Sequence, residues 1–134
     1  MKYRFDLENG SLYLARFQME GDELTPWLAM RLSIDKWIAV ESFLSQGHEV
    51  YQAGGTHTCG LCHLYHRYGC MGCPVSVESG QAYCSGTPFE DWDELVSKAE
   101  LDDEYPFEEA LYCAQAERKY LEGLIDTYFE KEER

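Results

Sequence analysis

"TPWLAMRLSIDKWIAVESFLSQG", residues 25–47, is the stretch on which the fold turns. It reads as two pieces. Thr25-Pro26, coming after Gly21-Asp22-Glu23, marks a turn, and residues 27–32 are then available as a strand. Ser33 is a good N-cap with Asp35 in the first turn, and Ile34, Trp37, Ile38, Glu41 and Leu44 recur at helical spacing until Gly47 stops the run. The expectation is a helix over 33–47 whose apolar stripe covers a sheet. An indole at the inward position of such a helix, Trp37, is expected in the core and not against a ligand.

The sheet is expected in front of it, over residues 1–32, as an antiparallel hairpin or small meander. Tyr3, Phe5 and Leu7 alternate with polar residues, Asn9-Gly10 supplies the two positive-φ turn positions, and Leu12 and Leu14 resume the alternation. A two-residue loop sets Leu7 opposite Leu12 and Phe5 opposite Leu14, on one face.

Behind it, residues 88–99 read as a short helix with Phe89, Trp92, Leu95 and Val96 inward. A longer helix follows Pro106, where Leu111, Ala114, Arg118, Leu121, Ile125 and Tyr128 recur in steps of three and four, flanked by Phe107, Leu124 and Phe129. A seam this short is expected to pack within its own domain; pairing through it would make a homodimer of the monomer. Cys113, beside the stripe, reads as a small buried hydrophobe.

Five of the six cysteines lie within residues 58–88. Cys59 and Cys62 form one C-x-x-C unit and Cys70 and Cys73 a second, with Cys84 following after ten intervening residues. Two residues between thiolates let a tight turn aim both sulfurs at one ion about 2.3 Å away, and a second pair completes a tetrahedron. A thioredoxin-like dithiol would need a strand-to-helix junction in a βαβ unit, which this pattern lacks. Zinc suits four thiolates and supplies folding free energy to a glycine-rich segment. An iron–sulfur cluster is the alternative, favoured by Cys73-Pro74 but lacking the C-x-x-C-x-x-C spacing. Cys59, Cys62 and Cys73 are the first-choice ligands, with Cys70 or Cys84 fourth. His57, His63 and His66 are near enough in sequence for a Cys3His site but read as surface or supporting histidines.

"CGLCHLYH", "GCMGCPV" and "YCSGTPFEDW" resemble, in order and spacing, an uncharacterised group of small cysteine-rich proteins of bacteriophages and prophages. In that group C-x-L-C, C-x-G-C-P and C-x-G-T-P recur ahead of a C-terminal helix. The resemblance covers residues 33–130, is most specific over 59–92, and leaves the hairpin outside it. It implies a phage-type origin and a cytoplasmic metal-binding module, and no reaction.

A chain of 134 residues is the size of one domain and can bury a core without covalent staples. The architecture expected is α+β over 1–134: the hairpin or meander, the helix over 33–47, a zinc-stapled loop module over 57–88, and an acidic part with two helices over 89–133. Residues 1–18 alternate charged and apolar positions, and there is no apolar run long enough to span a bilayer. A protein of the host cytoplasm, away from membranes and with reduced cysteines, is expected.

The charge is lopsided. Residues 1–89 carry nine acids and six bases, residues 90–134 sixteen acids and five bases. Between 90 and 109 ten acids, Glu90, Asp91, Asp93, Glu94, Glu100, Asp102, Asp103, Glu104, Glu108 and Glu109, face one base, Lys98. Such a surface keeps a protein soluble, and it also suits a basic protein partner of the kind a nucleic-acid-binding host protein presents. A protein that inhibits a host nuclease or defence complex, anti-CRISPR-like, by imitating nucleic acid is the sharpest form of that reading. Direct nucleic-acid binding is the alternative, suggested by His63, Tyr65, His66, Arg67 and Tyr68. Arg67 is, however, the only Lys or Arg between residues 37 and 97, too few to release many counterions. An enzyme, metal-dependent or redox, is not expected: five thiolates favour a closed site, and no H-E-x-x-H, G-x-S-x-G, phosphate loop or deaminase H-x-E with P-C-x-x-C is present.

Overall fold

The computed structural model describes residues 3–17, 25–53, 73–79, 86–101 and 104–129. Two strands, β1 (Tyr3–Glu8) and β2 (Ser11–Phe17), form an antiparallel hairpin. Asn9 and Gly10 turn it with φ of 53° and 80°, as a two-residue type I′ loop requires. Leu7 pairs with Leu12 and Phe5 with Leu14, as the alternation predicts; a register irregularity between Arg4 and Phe5 then sets Arg4 opposite Arg16.

The strand expected over 27–32 is instead the first part of a 20-residue helix, α1 (Pro26–Ser45). Thr25-Pro26 is a cap and a first helical position. The Thr25 hydroxyl accepts the Leu28 N–H at 3.1 Å, and proline at the first position arrives with its φ already helical. Leu28, Ala29, Met30, Arg31 and Leu32 are strong helix formers, so local preference agrees with the cap. Ser33, expected as the cap, is buried in mid-helix, and the helix expected over 33–47 begins at Pro26. Its end is as expected. Gly47 takes φ 86°, its N–H reaches Leu44 O at 3.0 Å, and the His48 N–H reaches Phe43 O at 2.9 Å, the paired bonds of a Schellman stop.

The third partner of the hairpin comes after α1. Leu12 N donates to Gln52 O at 2.8 Å, Tyr51 N and Gln52 N both donate to Gly10 O, and Ser11 and Gln52 form a parallel bridge. A parallel pairing needs a long crossover, and α1 is that crossover.

Among the described residues four further helices follow: α2 (Pro74–Ser79), α3 (Pro88–Ala99), α4 (Phe107–Gly123) and α5 (Ile125–Tyr128). The α1, α3 and α4 helices share the core: Trp37 meets Trp92 at 5.3 Å and Phe89 at 5.9 Å, edge to face, beside Val40, Val96, Ala110, Ala114 and Leu121. The inward face of α4 is Ala110, Ala114, Glu117 and Leu121, continued by Leu124, one residue out of phase with the expected stripe at three of its positions. Within the chain this face packs into the core shared with α1 and α3. On α1, Ile38 was expected inward and is 49% exposed. Glu41, placed inward for its spacing, pairs across the helices with Arg118 at 2.6 and 3.3 Å, and Arg118 also holds Glu122. No helix of the described residues is long and apolar enough to cross a membrane.

Tyr105 ties the start of α4 to the third partner of the hairpin: its hydroxyl donates to Val50 O at 2.5 Å, and its ring packs edge-on against Tyr51 at 5.2 Å. Burial pushes its phenol up to about 12, against an ordinary 10. A raised folded-state pKa contributes stability that is complete below pH 10 and is lost as pH rises through 12. Denaturation midpoints should therefore fall across that window, and Tyr105→Phe should flatten the fall. At neutral pH the same variant should cost about 1–2 kcal/mol, because the Val50 carbonyl loses its donor. Parallel pH profiles for parent and variant would contradict this.

Candidate functional site: an acidic face on α3 and α4

The α3 helix is amphipathic, with Trp92, Val96 and Ala99 buried and Asp91, Asp93 and Glu94 on the exposed arc. Pro88 at its start and acids in its first turn suit the positive end of the helix dipole. Glu90 is exposed too, but its carboxylate accepts the Gly86 N–H at 2.6 Å and so belongs partly to the helix start. At the head of α4, Glu108 and Glu109 are exposed in the first turn.

One acid from each run, Asp91 and Glu109, lies within electrostatic reach of Cys113. Its thiol is pushed up first by burial, then by the negative charges of Asp91 from α3 and Glu109 from α4. Two helices thus contribute negative charge to the surroundings of one side chain. The same effects make Cys113 a poor nucleophile, because only the thiolate attacks. It is half-buried rather than fully buried as expected. Tyr112, one position away on α4, is 73% exposed.

Not all ten acids share this face. Glu100, at the C-terminal end of α3, lies beside Tyr51, whose phenol it helps to raise. Glu104 is exposed in the turn before α4, while Asp102 and Asp103 lie outside the described residues.

Of the expected metal ligands, Cys59, Cys62, Cys70 and Cys84 lie outside the described residues, as do His57, His63, His66 and the stretch 63–68. Cys73 is described. It is 6% exposed, packs in the core with Val75 and precedes α2, which is held to α5 by the Tyr128 hydroxyl on Glu78 at 2.9 Å. Structural metal centres bury their sulfurs, so this burial is compatible with a ligand at Cys73. Among the described residues no group of three or more His, Cys, Asp and Glu is placed to hold a metal ion.

Two buried charged residues escaped sequence reasoning. Lys36 is 2% exposed, with its ammonium 4.8 Å from the Trp37 ring centre and 5.8 Å from that of Phe89. Glu117 is buried on the inward face of α4. Each sits on its helix's inward arc, Ala29-Ser33-Lys36-Val40-Leu44 and Ala110-Ala114-Glu117-Leu121, so spacing alone carried the signal. Residue type hid it. Comparison of the chain with protein-family models, with curated proteins and with solved structures finds no match.

Proposed function

We propose that the protein acts by binding, docking the carboxylates of α3 and of the first turn of α4 onto a basic protein surface in place of nucleic-acid phosphates. A nuclease or defence complex of a bacterial host is the partner class that fits a phage-type protein. The observation that carries the reading is that exposed carboxylates of two helices, Asp91 of α3 and Glu109 of α4, both act on the Cys113 thiol and so lie on neighbouring parts of the surface. Side chains three and four apart on a helix stand roughly 5–6 Å from each other at Cβ, so Asp91 and Glu94 present successive negative charges along that face.

The test is capture of a partner from bacterial lysate by the parent and by the variant Asp91→Lys, Asp93→Lys, Glu94→Lys. Glu90 is left in place because it closes the start of α3. The parent's complex should weaken steeply as salt rises from about 50 to 500 mM, and DNA or RNA that the partner binds should compete with it. The variant should lose capture while its melting temperature falls only by the few degrees that a basic residue in the first turn of α3 costs. A partner held equally by the variant, or one that binds this protein and its nucleic acid together, rejects mimicry.

The second part of the proposal is a zinc ion held by four of Cys59, Cys62, Cys70, Cys73 and Cys84, stapling the segment between α1 and α3. Purified protein should contain about one zinc per chain, and Cys59→Ser or Cys62→Ser should lower the melting temperature more than Cys113→Ser. Absence of zinc, or iron with sulfide in its place, rejects the staple.

A further inference from the structure

We propose that the cleft around the Tyr51 ring, between the hairpin turn and the C-terminal end of α3, is a recognition site for a single arginine side chain of a protein partner. Two openings of about 430 and 360 Å³ share Asn9 and Tyr51 and so adjoin at the ring. Glu49 lines the first, and Ser11, Gln52 and Glu100 line the second. None of the described residues lining either one is a lysine or an arginine.

The ring is held in advance of any ligand. Its backbone is pinned by bonds from Tyr51 N and Gln52 N to Gly10 O, at 2.7 and 3.1 Å. Gly10 lies directly against it: a Cβ there would stand 2.6 Å from Tyr51 Cδ2, and φ is +80°. Tyr105 fixes another side at 5.2 Å and 88°. Negative charge reaches the ring from two elements, Glu49 against its hydroxyl and Glu100 from α3. Both, after burial itself, push its phenol up.

This chemistry selects a guanidinium. Arginine carries five N–H donors and no acceptor, and the cleft offers carboxylate, amide and hydroxyl oxygens. Its flat, weakly hydrated group stacks on aromatic faces and pairs with carboxylates in bidentate fashion, where a lysine ammonium is a compact, strongly hydrated charge. A neutral saccharide would use the ring and the amides without needing two carboxylates. The proposal rests on the reading of the protein as a binder of basic surfaces, and it adds a place and a side chain to it.

The test is an NMR titration of the isotope-labelled full chain with acetyl-Gly-Arg-Gly-amide, and with the same peptide carrying lysine or citrulline. Expected are saturable shifts at the amides of Gly10, Tyr51 and Gln52, with citrulline at least about tenfold weaker and lysine weaker than arginine. The double variant Glu49→Gln, Glu100→Gln, at two exposed positions, should lose at least about tenfold in affinity while the hairpin amides outside the cleft stay in place. Citrulline or lysine binding as well as arginine, a neutral maltoside shifting the same amides equally, or a double variant that binds like the parent overturns the assignment. The two proposals fail separately. An Asp91→Lys, Asp93→Lys, Glu94→Lys chain that loses partner capture, in a protein whose Tyr51 cleft ignores the arginine peptide, sinks the cleft alone. A saturable arginine site at Tyr51 in a protein whose capture survives that reversal sinks the α3 face alone.

Discussion

Trp92→Ala is expected to remove about 3–5 kcal/mol of stability, enough to unfold a marginally stable domain. Trp92 is fully buried where three helices meet. It packs against Trp37 at 5.3 Å and stacks with Phe89 at 6.4 Å from its own helix. Truncation loses the contacts of a whole indole and leaves a cavity that α1 and α4, pinned together by Arg118 and Glu41, cannot fully close. Trp92→Phe separates packing from hydrogen bonding. The indole Nε1 is buried and meets no acceptor among the described residues, so phenylalanine gives up no bond there. That variant should cost about 1–2 kcal/mol, well short of the alanine loss. Urea midpoints for both variants decide it, and an alanine variant within about 1 kcal/mol of the parent would mean that the interior of α3 is misplaced.

Leu121→Asp should cost a similar amount, about 3–5 kcal/mol, for a different reason. Leu121 is 2% exposed on the inward face of α4, one turn beyond the buried Glu117. A carboxylate there is desolvated without a partner and is set four residues from another acid, the spacing at which like charges repel on a helix. Glu122→Lys, one step around the helix, is the control. It replaces the Glu122–Arg118 pair with a like-charge pair and leaves the Arg118–Glu41 pair in place, a loss of roughly 0.5–1 kcal/mol. Thermal melts in which the two variants shift by the same amount would show that the phase assigned to α4 is wrong.

Some of this was legible because the chain states it locally. Asn9-Gly10 allows almost only the I′ turn, and with the alternation of Leu7 and Leu12 it fixes the register. Pro88 and the acids behind it start α3 where expected, and Gly47 stops α1. Thr25-Pro26 is different. The pair is an equally good turn or helix start, and six residues behind it cannot decide; the core needs the buried face of Ala29, Met30 and Leu32, and that settles the matter. On α4 the expected stripe and the real one share Ala114 and Leu121. They part where alanine and glutamate, Ala110 and Glu117, take inward positions that the spacing assigned to leucine and arginine, Leu111 and Arg118. The acidic run shows a further limit. Ten acids adjacent in sequence look like one surface, yet Glu90 is drawn to the start of α3 and Glu100 to Tyr51, because the direction of each side chain depends on what its helix packs against.

The placement of residues 50–53 beside the hairpin also sets an order of assembly. A two-stranded hairpin is marginal alone in water, although its turn can close within microseconds. Here the partner that steadies it is 41 residues away along the chain at the Ser11–Gln52 contact, and the Tyr105 hydroxyl that caps Val50 is 55 residues further on. Loop-closure entropy must be met before either contact gives anything back. On a ribosome, then, the hairpin is made well before the segments that secure it, and it stays a provisional structure until residues 50–53 and the head of α4 have both emerged.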